Sequence, residues 1–195
     1  MATRKSNGTK QGQEAPVGQL DLQDPLEVAM TQLREVGFPN SEMFELMTSL
    51  YRLQSMVQMR MEEALKPFGT NLTCYFALVT LSIWKNGLRH KELADYLKIH
   101  PTTVTLVVDA LSRLDLVERR PYPMDRRVSL VFITEDGRAL LARASAAMAA
   151  YNFGLPDSVF DIDRGLLLEQ LAHLRVALGD TVRDQTVRTQ DSTPD

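Results

Sequence analysis

Four arginines, Arg119, Arg120, Arg126 and Arg127, crowd one short stretch of this chain, and just upstream Pro101 is followed by Thr102, Thr103 and Thr105. Guanidinium groups grip phosphate through a planar fork of donors. A threonine offers a hydroxyl to phosphate or base and a methyl to a thymine methyl. This is the chemistry of reading a nucleic-acid duplex. Chemistry that makes or breaks bonds has little support: there is no Gly-rich phosphate loop, and His90, His100 and His173 are scattered with no metal-ligand spacing. A lone Cys74 with a distant histidine is too weak a pairing for nucleophilic catalysis. The expectation is a protein that is not an enzyme and holds neither cofactor nor metal.

Positioning these residues takes two helices and a hairpin. In Lys91-Glu-Leu-Ala-Asp-Tyr-Leu97, Leu93, Ala94 and Leu97 share one apolar face, with Glu92 and Asp95 turned to water, and the small Ala94 lets a second helix cross closely. Lys98-Ile99-His100 makes the turn, with Ile99 inward. Pro101 suits the first helical position, where its missing N–H would have no partner anyway. The second helix buries Val104, Val107 or Val108, Leu111 and Leu114, which leaves Thr102, Thr103, Thr105, Leu106 and Asp109 on or near the opposite surface. Asp109 is expected to pair with Arg113 one turn on. Residues 117–120 and 128–133 are rich in β-branched side chains and read as strands. The loop between them, Pro121-Tyr-Pro-Met-Asp-Arg-Arg127, is stiffened by two prolines. Asp125 stands two residues before Arg127 and could hold that guanidinium in one orientation. A helix-turn-helix places its second helix in a major groove, and an arginine-bearing hairpin beside it reaches the minor groove or the backbone.

The charge distribution agrees. Between Lys85 and Arg127 nine Lys/Arg face six Asp/Glu, a window of net +3 in a chain of net −3, so the remainder carries −6. A basic face on an acidic body orients a protein on DNA rather than coating it indiscriminately. With 195 residues and 44% hydrophobic side chains, the chain can build one domain with an added interface layer. One cysteine allows no internal disulfide, the N-terminus has no signal-peptide pattern, and the longest apolar stretch, near residues 76–84, is too short to span a bilayer. A cytoplasmic protein without a membrane partner is expected.

Helical spacing continues on both sides of the reading segment. Residues 25–36 form a first helix, ended by Gly37 and Pro39; Ser41 caps a longer one stopped by Lys66-Pro67-Phe68-Gly69. That second helix is apolar over more than one face and needs cover on more than one side, a hint of dimerisation. Residues 72–84 follow, capped by Thr73, then, after the hairpin, an Ala-rich helix capped by Thr134 and a last one over 161–178 with a Leu167, Leu171, Leu174, Leu178 seam. Residues 1–24 and 180–195 are expected to be disordered tails. Arg4, Lys5 and Lys10 in the first tail are read as solvated rather than DNA-bound.

His100-Pro-Thr-Thr-Val-Thr-Leu-Val-Val-Asp-Ala-Leu111, with Leu116-Val-Glu-Arg-Arg-Pro121, Asp125-Arg-Arg127 and Ile133-Thr-Glu-Asp-Gly137, resembles the MarR family of bacterial transcription regulators. The similarity is strongest over 72–141, and the helix order over 25–178 fits. It implies a mainly α fold with a small β-hairpin wing: a winged helix-turn-helix over about 72–137, within a domain of 25–179 whose helices at about 25–69 and 138–179 join a homodimer. It further implies a repressor acting on a pseudo-palindromic double-stranded DNA operator, relieved by a small aromatic or phenolic effector. The family's Asp-x-Arg wing motif falls on Asp125 and Arg127, so the resemblance sends Arg127 into the minor groove with Asp125 as its buttress. The recognition helix falls on 101–114, and Pro101, Thr102, Thr103, Thr105, Leu106, Arg113, Arg120, Asp125, Arg126 and Arg127 are the expected DNA-facing residues. The family usually has a polar or basic residue where this chain has Leu106, and glycine where it has Asp115.

Three other readings compete. Tyr51, Met56, Met59, Tyr75 and Trp84 could line an effector pocket, adaptable methionines beside aromatic rings, although core or dimer packing explains them as well. Cys74, near a helix N-terminus that favours thiolate, could serve a thiol-based redox sensor, against the plainer reading of a small buried residue. A winged-helix module that binds protein rather than DNA is favoured by Leu106 and net acidity, and opposed by Thr102, Thr103 and Arg127.

Overall fold

The computed structural model describes residues 24–122 and 125–180, with side chains at 125–127 and at 160 left out. The expectation of disordered tails falls outside the described residues except at Asp24 and Asp180, which have defined roles given below. The chain divides into two units, 1–54 and 55–195. Among the described residues no helix is long and apolar enough to cross a membrane.

The first unit holds α1 (Pro25–Glu35) and the start of α2 (Ser41–Leu65). Asp24 caps α1 by accepting the Leu26 N–H at 2.9 Å, Pro25 takes the first helical position, and Gly37, at φ +72°, supplies the left-handed residue that ends the helix. Beyond the turn the rings of Phe38 and Phe44 meet at 4.9 Å and Arg34 pairs with Glu45. Met43, Met47 and Leu53 remain exposed on α2.

The second unit contains the end of α2, then α3 (Leu72–Ile83), β1 (Leu88–Arg89), α4 (His90–Leu97), α5 (Pro101–Arg113), β2 (Val117–Tyr122), β3 (Asp125–Ile133), α6 (Glu135–Ala150) and α7 (Arg164–Ala177). The sheet has three strands rather than the expected two, ordered β1-β3-β2 and antiparallel throughout. Leu88 stands opposite Val131, and Val117 opposite Ile133. The strands of the hairpin run further toward its tip than the β-branched pattern predicted, to Tyr122 and from Asp125, with a register shift between Pro121 and Tyr122. Pro121 is tolerated because β2 is an edge strand.

One core joins helices to sheet: Leu78, Leu81, Leu93, Val104, Val108, Leu111 and Val131 are almost wholly enclosed. A second cluster packs the end of α2 (Met61, Leu65) and α3 (Tyr75) against α6 (Ala144, Met148). Val107 and Val108 are both buried. Leu114 is exposed instead of buried, because Asp115 turns into the left-handed region at φ +55°, breaks the helical period and delivers Leu116 to the core in its place. The aspartate thus adopts the conformation for which glycine is the usual choice.

The 161–178 helix starts late, at Arg164 with Asp163 as its cap, after a short 3-10 segment. No α7 side chain is fully buried, and Leu166, Leu168 and Val176 face outward. Its end is tied back by Asp180, whose carboxylate lies 3.0 Å from Lys98 Nζ.

Candidate nucleic-acid interface

The turn before α5 is built by Lys98, left-handed at φ +53°, and by His100, whose ring Nδ1 accepts the Thr102 N–H at 3.3 Å and lies 3.0 Å from the Thr102 hydroxyl. With Pro101 at the first position, the helix starts where the sequence places it. Val104, Val107, Val108 and Leu111 occupy its inner side. The 100° step per residue then puts Thr102, Leu106, Asp109 and Arg113 on the outermost stripe, with Thr103 and Thr105 on its flanks. Every one of these is exposed, Leu106 to 66%.

The preceding helix differs from expectation at one residue. Glu92 is buried rather than turned to water, because its carboxylate accepts both the Arg89 N–H (2.9 Å) and the Arg89 guanidinium (2.7 Å) and so closes the start of α4.

The wing divides its arginines by the two-residue period of a strand. Arg119 shares the face of Val117 and Val131, which points toward the helices, and there it pairs with the Asp109 carboxylate. The expected Asp109–Arg113 ion pair gives way to this one; Arg113 Nε instead approaches the Asp109 carbonyl oxygen at 3.4 Å. Arg120 lies on the other face, paired with Glu118 and set over the Phe132 ring at 4.6 Å. Backbone positions 125–127 open β3, and the expected roles of the Asp125, Arg126 and Arg127 side chains lie outside what is described. The structure therefore brings the threonines, Leu106 and Arg113 onto one helix face and joins that face to the wing through Arg119. Sequence spacing had no means of selecting Arg119 over Arg113, although its alternation with Val117 put it on the helix-facing side.

His90, at the start of α4, feels the same pair. Burial first, and then the positive charge of Arg119, hold its imidazole below the ordinary value, with Asp109 pulling the other way. A histidine whose folded value is depressed binds fewer protons folded than unfolded, so stability is complete above about pH 6.5 and falls as pH drops from there toward the folded value. Urea midpoints measured from pH 7.5 to 5 should show this loss, and His90→Gln should flatten it; parallel curves for the two proteins would refute the assignment.

The two other sets of candidates separate. Asn71, not Thr73, caps α3, accepting the Cys74 N–H at 2.9 Å. Cys74 is 6% exposed, and burial pushes its thiol up against the opposing hydrogen bonds from Asn71, so the physical basis for a ready thiolate is missing. Tyr51, Met56 and Met59 are exposed on α2. Tyr75 is buried in the second core cluster with its hydroxyl 3.1 Å from that of Ser145, whereas Trp84 packs on the first core, 5.3 Å from the Tyr96 ring. A cleft between α3 and α4, about 280 Å³, is bordered instead by Gln58, Thr73, Phe76, Thr80, Tyr96 and Ile99, among others.

Two helices meeting at a short turn, the second with a polar outer stripe, beside a three-stranded sheet with an arginine-bearing hairpin, define a winged helix-turn-helix protein. The sequence pattern of the MarR family matches residues 70–129. The transcriptional repressor MdtR of Bacillus subtilis is 32% identical over 114 residues, 56% of this chain and 72% of that one. The crystal structure of Sco5413, a MarR family transcriptional regulator from Streptomyces coelicolor, superposes with a TM-score of 0.64 at 32% identity, covering 73% of this chain and 99% of that one. The repressor CouR of Rhodococcus jostii, seen bound to a 23-mer DNA duplex, gives 0.60 at 28% identity, covering 65% and 89%. The chain belongs to the MarR family.

Proposed function

We propose that the protein is a homodimeric repressor that grips a pseudo-palindromic operator, each copy inserting α5 into a major groove and its wing into the neighbouring minor groove. The observation that carries this is the outward stripe of α5, flanked by Thr103 and Thr105 and linked to the wing by the Asp109–Arg119 pair. Pro101, Thr102, Thr103, Thr105, Leu106 and Arg113 face bases or phosphates, and Asp125, Arg126, Arg127 and the outer-face Arg120 serve the wing. A second copy is supported by the apolar residues left uncovered on α2 and α7, among them Met43, Met47, Leu166 and Leu168. Two α5 helices on one face of B-DNA stand about 34–36 Å apart. Footprinting on the DNA flanking the protein's own gene, combined with sedimentation, tests the reading. A monomer, or a dimer that binds no duplex more tightly at low salt, would end it.

Arg127→Ala should weaken binding and lower the slope of log affinity against log salt by about one unit for each phosphate that the arginine neutralises. An unaltered slope and affinity would remove Arg127 from the interface.

A small aromatic effector is the second part of the proposal, and the α3–α4 cleft is its seat rather than the five residues expected from sequence. Phe76 and Tyr96 border it, and the Tyr96 hydroxyl is buried with no hydrogen-bond partner among the described residues. The related CouR has been crystallised with p-coumaroyl-CoA.

A further inference from the structure

Resting on the DNA-reading assignment above, we infer that Leu106 determines operator specificity by seating the 5-methyl group of a pyrimidine, thymine in unmodified DNA. Leu106 is the sixth residue of α5, one turn beyond Thr102 and in line with Asp109 and Arg113. It is 66% exposed, so the core gains almost nothing from it. Its neighbours on the stripe are polar or charged, and it borders an open depression with Asp109, Ser112 and Arg113. A leucine held in water at the centre of a reading face gains free energy only when apolar surface covers it. On the major-groove edges of base pairs, the thymine methyl is the one apolar group; every other feature there is a hydrogen-bond donor or acceptor. A polar side chain at this position would read donors and acceptors, and leucine reads none. Asp109 does not compete for the same base edge, because its carboxylate is engaged by Arg119.

The test isolates one methyl group. Duplexes selected from a random pool by the wild-type dimer supply the operator, and each thymine is then replaced by uracil, symmetrically in both half-sites. At one symmetric position the wild type should lose about fourfold per half-site, hence roughly fifteenfold overall, the scale of one buried methyl group per site. Leu106→Ala should bind the thymine and uracil operators equally at that position, whereas Leu106→Ile should keep most of the discrimination. Because the side chain is exposed, both variants should unfold at the wild-type urea midpoint. A flat uracil scan in the wild type, or a thymine preference that persists in Leu106→Ala at every position, overturns the inference while leaving DNA binding intact. Failure to select any duplex would remove the DNA-reading assignment as well.

Discussion

Replacing Gly137 by alanine should destabilise the protein by about 2–4 kcal/mol, although the position is helical and alanine is the better helix former by about 1 kcal/mol. Gly137 is buried in the first turn of α6, where its N–H donates to the Thr134 hydroxyl at 3.0 Å. That hydroxyl donates in turn to the Asp115 carbonyl at 2.7 Å, and the Thr134 N–H donates to the Leu116 carbonyl at 3.1 Å. These bonds stitch the junction of β3 and α6 onto the turn that ends α5, and so fix the wing relative to the recognition helix. A methyl at 137 would enter the envelope of the Leu116 carbonyl oxygen and lie 2.8 Å from Ile133 Cγ1. The obstructing atom is backbone, already held by Thr134, and cannot rotate aside. A shift of the urea midpoint by about 1 M or more is expected for a small domain, with operator affinity lowered in proportion to wing displacement. An alanine variant as stable as the wild type would show that the close approach is not there.

The same junction shows what the sequence made legible. Thr134 as a cap, Pro101 as a first helical residue and the inward Val104 and Leu111 are local signals, and each sits where its spacing placed it, while Val107 and Val108, of which the spacing asked for one, are both buried. Strand β1 was illegible, since Leu88 and Arg89 are two residues with no period and acquire strand character only by pairing with Val131 and Leu130. Glu92 was misread because a carboxylate between apolar positions normally faces water; here the backbone N–H and side chain of Arg89 satisfy it in place. Leu114 was misread because the helical period was carried one residue past the last residue of α5, Arg113, onto the cap that precedes the left-handed Asp115. The Asp109 partner failed for a related reason: the i,i+4 rule knows only the helix, and the sheet supplied the competing arginine.

That substitution of partners leads to the largest expected effect on binding. Arg119→Ala should weaken operator affinity roughly tenfold per half-site, about a hundredfold for a dimer, with little change in unfolding midpoint. The pair is exposed, 39% for Arg119 and 49% for Asp109 by side chain, so its share of folding stability is small. On DNA the balance differs. With Arg119 removed, Asp109 presents an uncompensated carboxylate to the phosphate backbone from the outermost stripe of α5, a repulsion of about 1 kcal/mol per phosphate a few ångströms away at low salt. Restoring the balance should restore binding: Asp109→Ala combined with Arg119→Ala should recover to within about threefold of wild type, and Asp109→Ala alone should bind more tightly and discriminate less, its freed arginine reaching any phosphate. Fluorescence anisotropy of the four proteins on one duplex, at about 50 and 150 mM salt, closes the cycle. If the double variant binds no better than Arg119→Ala, then Arg119 grips DNA directly and the ion pair shields nothing. If the double variant recovers, the acidic residue on the reading face is explained, since the wing strand lends the recognition helix the positive charge it lacks.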